Sequence, residues 1–204
     1  MDIALIDERV VREALHAIRY AHPLAGSRLT GLAAVTARLA RDGIADSPSG
    51  REWALASLLD DAIRASLAAA RPEGSAEPDD GRRRATALAQ ARADFRVGDA
   101  TLEAWSVLRY RYVAPSPLQM REMADELGVG ERTLRRRLNQ GHELLAAVLR
   151  EHEVSAARQQ GASGEGRSPR PAVLREALPR TCPYRGLRAF RAGDAGFFFG
   201  RETF

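Results

Sequence analysis

Residues 118–149, LQMREMADELGVGERTLRRRLNQGHELLAAVL, read as a helix, a tight turn and a second, longer helix. Leu118, Met123, Ala124 and Leu127 recur at the spacing of a single helical face. Gly128 stands where reversal of the chain at positive φ favours a residue without a Cβ. Val129 is expected to tuck into the core. Glu131 is expected to open the second helix, placing a negative charge at its positive end. Leu134, Leu138, Leu145 and Leu149 line one face of that helix, with Leu144 and Val148 beside them. Arg132, Arg135, Arg136 and Arg137 fall on its other sides in the first two turns. Ala124 supplies the small side chain that two closely crossing helices need at their contact.

The set Ala124, Gly128, Val129, Leu134 and Leu138 resembles the helix-turn-helix of bacterial sigma factors and response regulators. The resemblance implies that the start of the second helix meets DNA. Gly130, Glu131, Arg132, Thr133, Arg135 and Arg136 would then face the groove while Leu134 and Leu138 face inward. Arginine can pair bidentately with guanine, and Thr133 can offer a hydroxyl or a methyl. The blander reading is an ordinary helical hairpin with a solvated arginine face, because a fold does not fix a function.

Upstream, Thr101 is expected to cap a helix through residue 113, with Leu102, Trp105, Leu108 and Tyr112 as its buried stripe. Ala114-Pro115-Ser116-Pro117 ends it, and Ser116 is placed to cap the next. Before that, residues 82–95 read as a helix whose apolar face is mostly alanine and weakly held, broken by Gly98-Asp99. Residues 71–81, RPEGSAEPDDG, form a polar linker.

The N-terminal part carries three helical patterns. One spans residues 2–20, through Ile3, Ile6, Val10, Ala14, Leu15 and Ile18. The second follows Ser27 through Leu29, Leu32, Val35 and Leu39 to Asp42-Gly43. The third follows a loop at residues 46–50 and ends near Ala70, with Trp53 and Trp105 read as core anchors. No segment alternates like a strand. The expected class is therefore all-α, a helical bundle that ends in a helix-turn-helix. The expected divisions are an N-terminal helical part (1–70), a linker with a weak helix (71–100), the helix-turn-helix (101–154), a flexible linker (155–180) and an aromatic-rich segment (181–204).

All 31 basic residues are arginine, a bias that points to GC-rich coding rather than to nucleic acid. Residues 155–204 hold 9 Arg against 4 acids, net +5, whereas residues 1–154 hold 22 against 23, net −1. A basic footprint over the whole helical region is thus absent, and the positive charge is local to residues 131–140, with 4 Arg and 1 Glu. The single cysteine, Cys182, allows no internal disulfide and no cysteine metal cluster. His16, His22, His142 and His152 have no ligand-type residue at metal spacing and read as surface residues; no metal site is expected. Glu8, Glu13, Asp60 and Asp61 read as helix-surface acids, and no catalytic residue emerges. With neither a membrane-length apolar run nor a signal-peptide layout, the expectation is a cytoplasmic bacterial protein that does not engage a membrane.

The character of the chain changes after Ser155. SAARQQGASGEGRSPRP reads as a connector. The last 23 positions then hold 6 of the 12 aromatic residues. Cys182-Pro183-Tyr184-Arg185-Gly186-Leu187, Phe190, Asp194-Ala195 and Phe198-Phe199-Gly200-Arg201-Glu202 resemble the opening segment of the novel STAND P-loop NTPases. The resemblance covers residues 182–204 and is specific in order and spacing, although Phe204 stands where related signalling NTPases often carry an acid.

This resemblance implies that Gly200, Arg201 and Glu202 lie near a nucleotide. ATP is implied for a longer parent protein, but no cofactor for this chain. No G-x-x-x-x-G-K-[ST] occurs in these residues, so hydrolysis by this polypeptide is not expected, and it reads as the N-terminal piece of a longer switch. Three functions follow: a DNA-binding regulatory region, a helical adaptor for self-association or effector recruitment, and a fragment of an ATP-hydrolysing enzyme. The implied partners are DNA, a second copy forming a homodimer, an effector, and downstream NTPase and repeat domains in cis.

Overall fold

Capping chemistry sets where the helices begin. In the computed structural model, which describes residues 6–24, 26–72 and 84–164, α1 (Glu8–Arg19) starts where the Asp7 carboxylate accepts from Val10 N at 2.8 Å. Ser27 caps a short 3₁₀ turn (Arg28–Gly31) rather than an α-helix, and α2 (Ala33–Asp42) follows. Gly43 ends α2 in the left-handed region, at φ 66°. Ser47 caps α3 (Pro48–Ala70), accepting from Gly50 N at 3.1 Å, with Pro48 at its first position. Ser49 and Gly50, read as loop from composition, are therefore helical. The fold is all-α, and the described residues contain no strand.

The remaining helices are α4 (Arg84–Val97), α5 (Ala100–Leu108), α6 (Met120–Leu127) and α7 (Glu131–Gly164). Asp99, not Thr101, caps α5, its carboxylate accepting from Leu102 N at 2.7 Å. A widened π-type turn, Arg109–Val113, continues α5. Helix α6 starts at Met120, with Gln119 rather than Ser116 at its cap. Helix α7 has 34 residues, about 50 Å at 1.5 Å per residue, and runs past residue 154, where the helix-turn-helix region was expected to end. The first ten residues of the expected flexible linker, 155–164, thus belong to α7. The chain divides into two units, Met1–Gly166 and Arg167–Phe204, and the second lies outside the described residues.

Helix α5 is the centre, with every residue from Leu102 to Tyr110 buried. A helix apolar nearly all round has no solvent face to keep and is covered by its neighbours, here α3, α4 and α7. One side of α5 supplies Leu102, Trp105 and Leu108 to a core with Leu15, Leu55, Ile63, Leu145 and Leu149. The other side supplies Val107 to a second core with Ala87, Ala91, Tyr110, Met123 and Leu134. Leu138 packs against both. Gly141 lets α7 pass close over α5, since a Cβ there would stand 2.8 Å from Leu108 Cγ.

Polar groups tie the helices together where apolar surface is thin. The Arg71 guanidinium and Asp94 carboxylate pair at 2.8 and 2.9 Å with side chains 8% and 5% exposed. The exposed Arg84–Glu122 and Arg92–Glu126 pairs add further links from α4, whose apolar face is the expected alanines Ala87 and Ala91. The buried Glu153 of α7 accepts from Ala33 N and Ala34 N at 3.0 Å each, so it caps α2 across 120 residues of sequence. Two side chains change place relative to the sequence reading. Trp105 is a core anchor, but Trp53 is 46% exposed. His142 is fully buried, while His16, His22 and His152 are exposed.

Candidate nucleic-acid interface

The turn between α6 and α7 is three residues long. Gly128 takes φ 65°, and its neighbour Val129 donates its N–H to Ala124 O at 3.1 Å, closing the end of α6. The Gly130 carbonyl accepts from Thr133 N at 2.9 Å and Leu134 N at 3.2 Å, which starts α7. At the far end of α6 the Glu122 carboxylate accepts from Gln119 N at 3.2 Å. The Arg84 guanidinium beside Glu122 holds that carboxyl below its ordinary range, helped by the Gln119 N–H. Leu134 is 0% exposed among Val107, Tyr110 and Met123, so the rotation of α7 about its own axis is fixed at its first turns.

That rotation sorts the arginines. Arg137 turns inward, and its Nε donates to Glu103 at 2.6 Å with both side chains mostly buried. Gly130, Glu131, Arg132, Arg135 and Arg136 are exposed, and Thr133 is half-buried. Arg135 pairs with Glu131 at 2.9 Å along the helix, which cancels much of the charge of both. Arg132 and Arg136 have no acidic partner among the described residues, and with Thr133, Asn139, Gln140 and Glu143 they border an open groove of about 650 Å³. The six residues read from sequence are thus brought to one end of one helix, and two of their cations have no acidic partner among the described residues.

Their position is electrostatically unfavourable for the helix alone. The first turn of α7 carries the positive end of its dipole, where a cation such as Arg132 costs roughly 0.3–1 kcal/mol, and Arg136 lies one turn further on. Most other arginines of the helical region engage an acid or a carbonyl, for example Arg38 with Asp61 and Arg150 with Ile6 O. Arg121 on α6 is a further exposed cation with no acidic partner among the described residues. Its place next to the Glu122 cap was readable in the sequence, whereas the Glu103–Arg137 pair, 34 residues apart, carries no local signal.

No group of three His, Cys, Asp or Glu residues able to hold a metal occurs among the described residues. No described helix is long and apolar enough to cross a membrane. Gly200, Arg201, Glu202 and Cys182 lie outside the described residues. No family model, no curated protein and no solved structure matches this chain.

Proposed function

We propose that α6, the Gly128–Gly130 turn and α7 act as a DNA-binding helix-turn-helix in the regulatory region of a STAND-type switch. The observation that carries the reading is the pair of outward arginines, Arg132 and Arg136, without an acidic partner among the described residues, in the first two turns of a helix whose opposite face is locked by Leu134. Arg132, in the first turn, is held against the helix dipole, and Arg136 one turn on adds a like charge, so an anion that meets both relieves the pair. A polyanion presented along the groove supplies that anion. In this reading Arg132 and Arg136 meet base edges or phosphates, Thr133 adds a hydroxyl, and Arg121 grips the backbone from α6. Arg137 stays behind the surface as a strut.

By the resemblance of residues 182–204, such a unit would couple DNA occupancy to a nucleotide switch in which Gly200, Arg201 and Glu202 lie near ATP. This polypeptide itself is not proposed to hydrolyse ATP. The adaptor reading draws on a different observation: most arginines of residues 1–154 are neutralised, and that region has a net charge of −1.

The experiment is a fluorescence titration of the full chain against labelled random and selected duplexes at several salt concentrations. Binding should appear at low salt and weaken steeply as salt rises. Arg132→Ala or Arg136→Ala should each cost about 1–3 kcal/mol of affinity and relax sequence preference. No binding at low salt, or binding indifferent to both changes, hands the argument to the adaptor.

A further inference from the structure

Helix α1 carries Arg12, His16 and Arg19 four and three residues apart, the spacing of a single helical face. This stripe ends against the π-type turn Arg109–Val113. The His16 ring lies 5.5 Å from that of Tyr112, and Arg19 donates to Arg111 O. Arg111 in turn donates to Leu118 O and to Gln119 Oε1, both at 3.2 Å, and Gln119 caps α6. Arg121 stands two residues further on. A chain of contacts therefore runs from α1 to the start of the helix-turn-helix.

The charge along this path is positive and is not cancelled. A carbonyl or amide oxygen orients a guanidinium but brings no negative charge, so Arg19 and Arg111 are held in place with their charge intact. Neither of them, nor Arg121, has an acidic partner among the described residues. The acid on the stripe is Glu8, at its far end, 3.6 Å from Arg12. Partial desolvation and then the charges of Arg111, Arg12 and Arg19 push the His16 pKa below its ordinary value, as cationic surroundings do. The negative end of the α1 dipole favours His16 and Arg19, but it is worth about half a charge and accounts for neither Arg12 nor Arg111. Tyr20 is exposed beside them, its ring centroid 5.7 Å from the Arg19 guanidinium, and adds a hydroxyl.

We propose that Arg12, His16, Arg19, Tyr20 and Arg111 form a surface that grips the phosphate backbone flanking the groove that α7 reads. The inference deepens the DNA-binding reading of α6 and α7 and rests on it. In a helix-turn-helix the first helix crosses the backbone, so residues packed at the start of α6 lie along a strand rather than over the bases. Arginine and tyrosine hold phosphate oxygens there without reading sequence. A helical region with a net charge of −1 has to gather its cations locally to hold a polyanion, and this path gathers them next to the reading helices.

The test is duplex affinity of the full chain across a salt series. Arg19→Gln should lower the slope of log K against log salt by about 1 and weaken binding about eightfold at about 0.1 M salt, with sequence preference and helix content unchanged. Glu8→Gln, which frees Arg12, should tighten binding and steepen the slope. Glu13→Gln, which frees Arg9 away from the stripe, should leave both near the values of the unaltered chain. A misfolded chain does not gain affinity, so should Arg19→Gln lose its helices, the two acid changes decide the matter alone. An unchanged slope in folded Arg19→Gln, or equal effects of Glu8→Gln and Glu13→Gln, overturns the proposal. Binding that depends on Arg136 but not on Arg19 overturns this proposal and leaves the DNA-binding reading standing. No duplex binding by the unaltered chain at low salt overturns both.

Discussion

Replacing His142 by leucine should abolish most of the loss of stability between neutral pH and pH 5. The imidazole is 0% exposed, and both ring nitrogens are buried without a hydrogen-bond partner. Its ring lies 5.8 Å from that of Tyr112, which in turn lies 5.5 Å from that of His16. Burial pushes the His142 pKa down from 6.5 to about 4, and the positive charges of Arg12 and His16 push the same way. The unfolded chain therefore takes up a proton as pH falls through 6.5, and the folded chain takes it up only near 4.

The native state is thus undisturbed above 6.5 and loses stability between 6.5 and about 4, in all by about 3 kcal/mol, at 1.36 kcal/mol per pH unit. By pH 5, about 2 kcal/mol of this should be gone. Asp42, Asp46 and Glu122, held low by their arginine partners, lose their contribution at lower pH, whereas His16, lowered from 6.5 by burial and by Arg111, Arg12 and Arg19, adds a loss of the same sign below 6.5 that the leucine variant keeps. The assay is urea unfolding followed by far-ultraviolet circular dichroism at about pH 7.5 and about pH 5. His142→Leu should flatten the difference and be no less stable at neutral pH, because two unpartnered polar atoms leave the core. Equal stability of the unaltered chain at both pH values would refute the reasoning. So would a leucine variant that keeps the full acid loss.

Leu134→Ala should cost roughly 2–5 kcal/mol in the same unfolding assay, because it opens a cavity in a fully packed site between α5, α6 and α7. Asp94→Ala should cost roughly 3–5 kcal/mol, since it strands the Arg71 guanidinium at 8% exposure; a much smaller loss would mean that α4 is held by its alanines after all.

The legible parts of the sequence were those governed by local chemistry. Gly43 and Gly128 stand at left-handed positions that favour a residue without a Cβ, so two helix ends were visible. Leu134, Leu145 and Leu149 recur at helical spacing and are buried as read. Competing caps were harder. Asp99 and Thr101 are both good capping residues, and the helix took the earlier one. The loop reading at Ser49-Gly50 failed because Ser47 and Pro48 form a stronger start signal than glycine forms a stop.

His142 was misplaced because residue type outweighed position: it lies four residues after Leu138 and three before Leu145, on the buried stripe. Trp53 failed the opposite way, as an apolar residue on an outer face. The extension of α7 beyond residue 154 is consistent with SAARQQ, whose alanines, arginine and glutamines favour helix. Within the candidate interface the exposed residues were readable, but the Arg137–Glu103 strut was not, because pairing over 34 residues leaves no periodic trace.

Charge reversal at matched sites tests the DNA-binding account most directly. Arg136 on α7 and Arg28 on the 3₁₀ turn are both exposed arginines without an acidic partner among the described residues, on different parts of the fold. Arg136→Glu and Arg28→Glu change net charge equally, so they differ only in where the charge sits. The measurement is duplex affinity of the two full-length variants across a salt series. The account predicts that Arg136→Glu abolishes binding and sequence preference, whereas Arg28→Glu weakens binding modestly and leaves preference intact. Equal losses in the two variants would contradict it, showing that any attraction to DNA is diffuse and that α7 is not the surface that reads it.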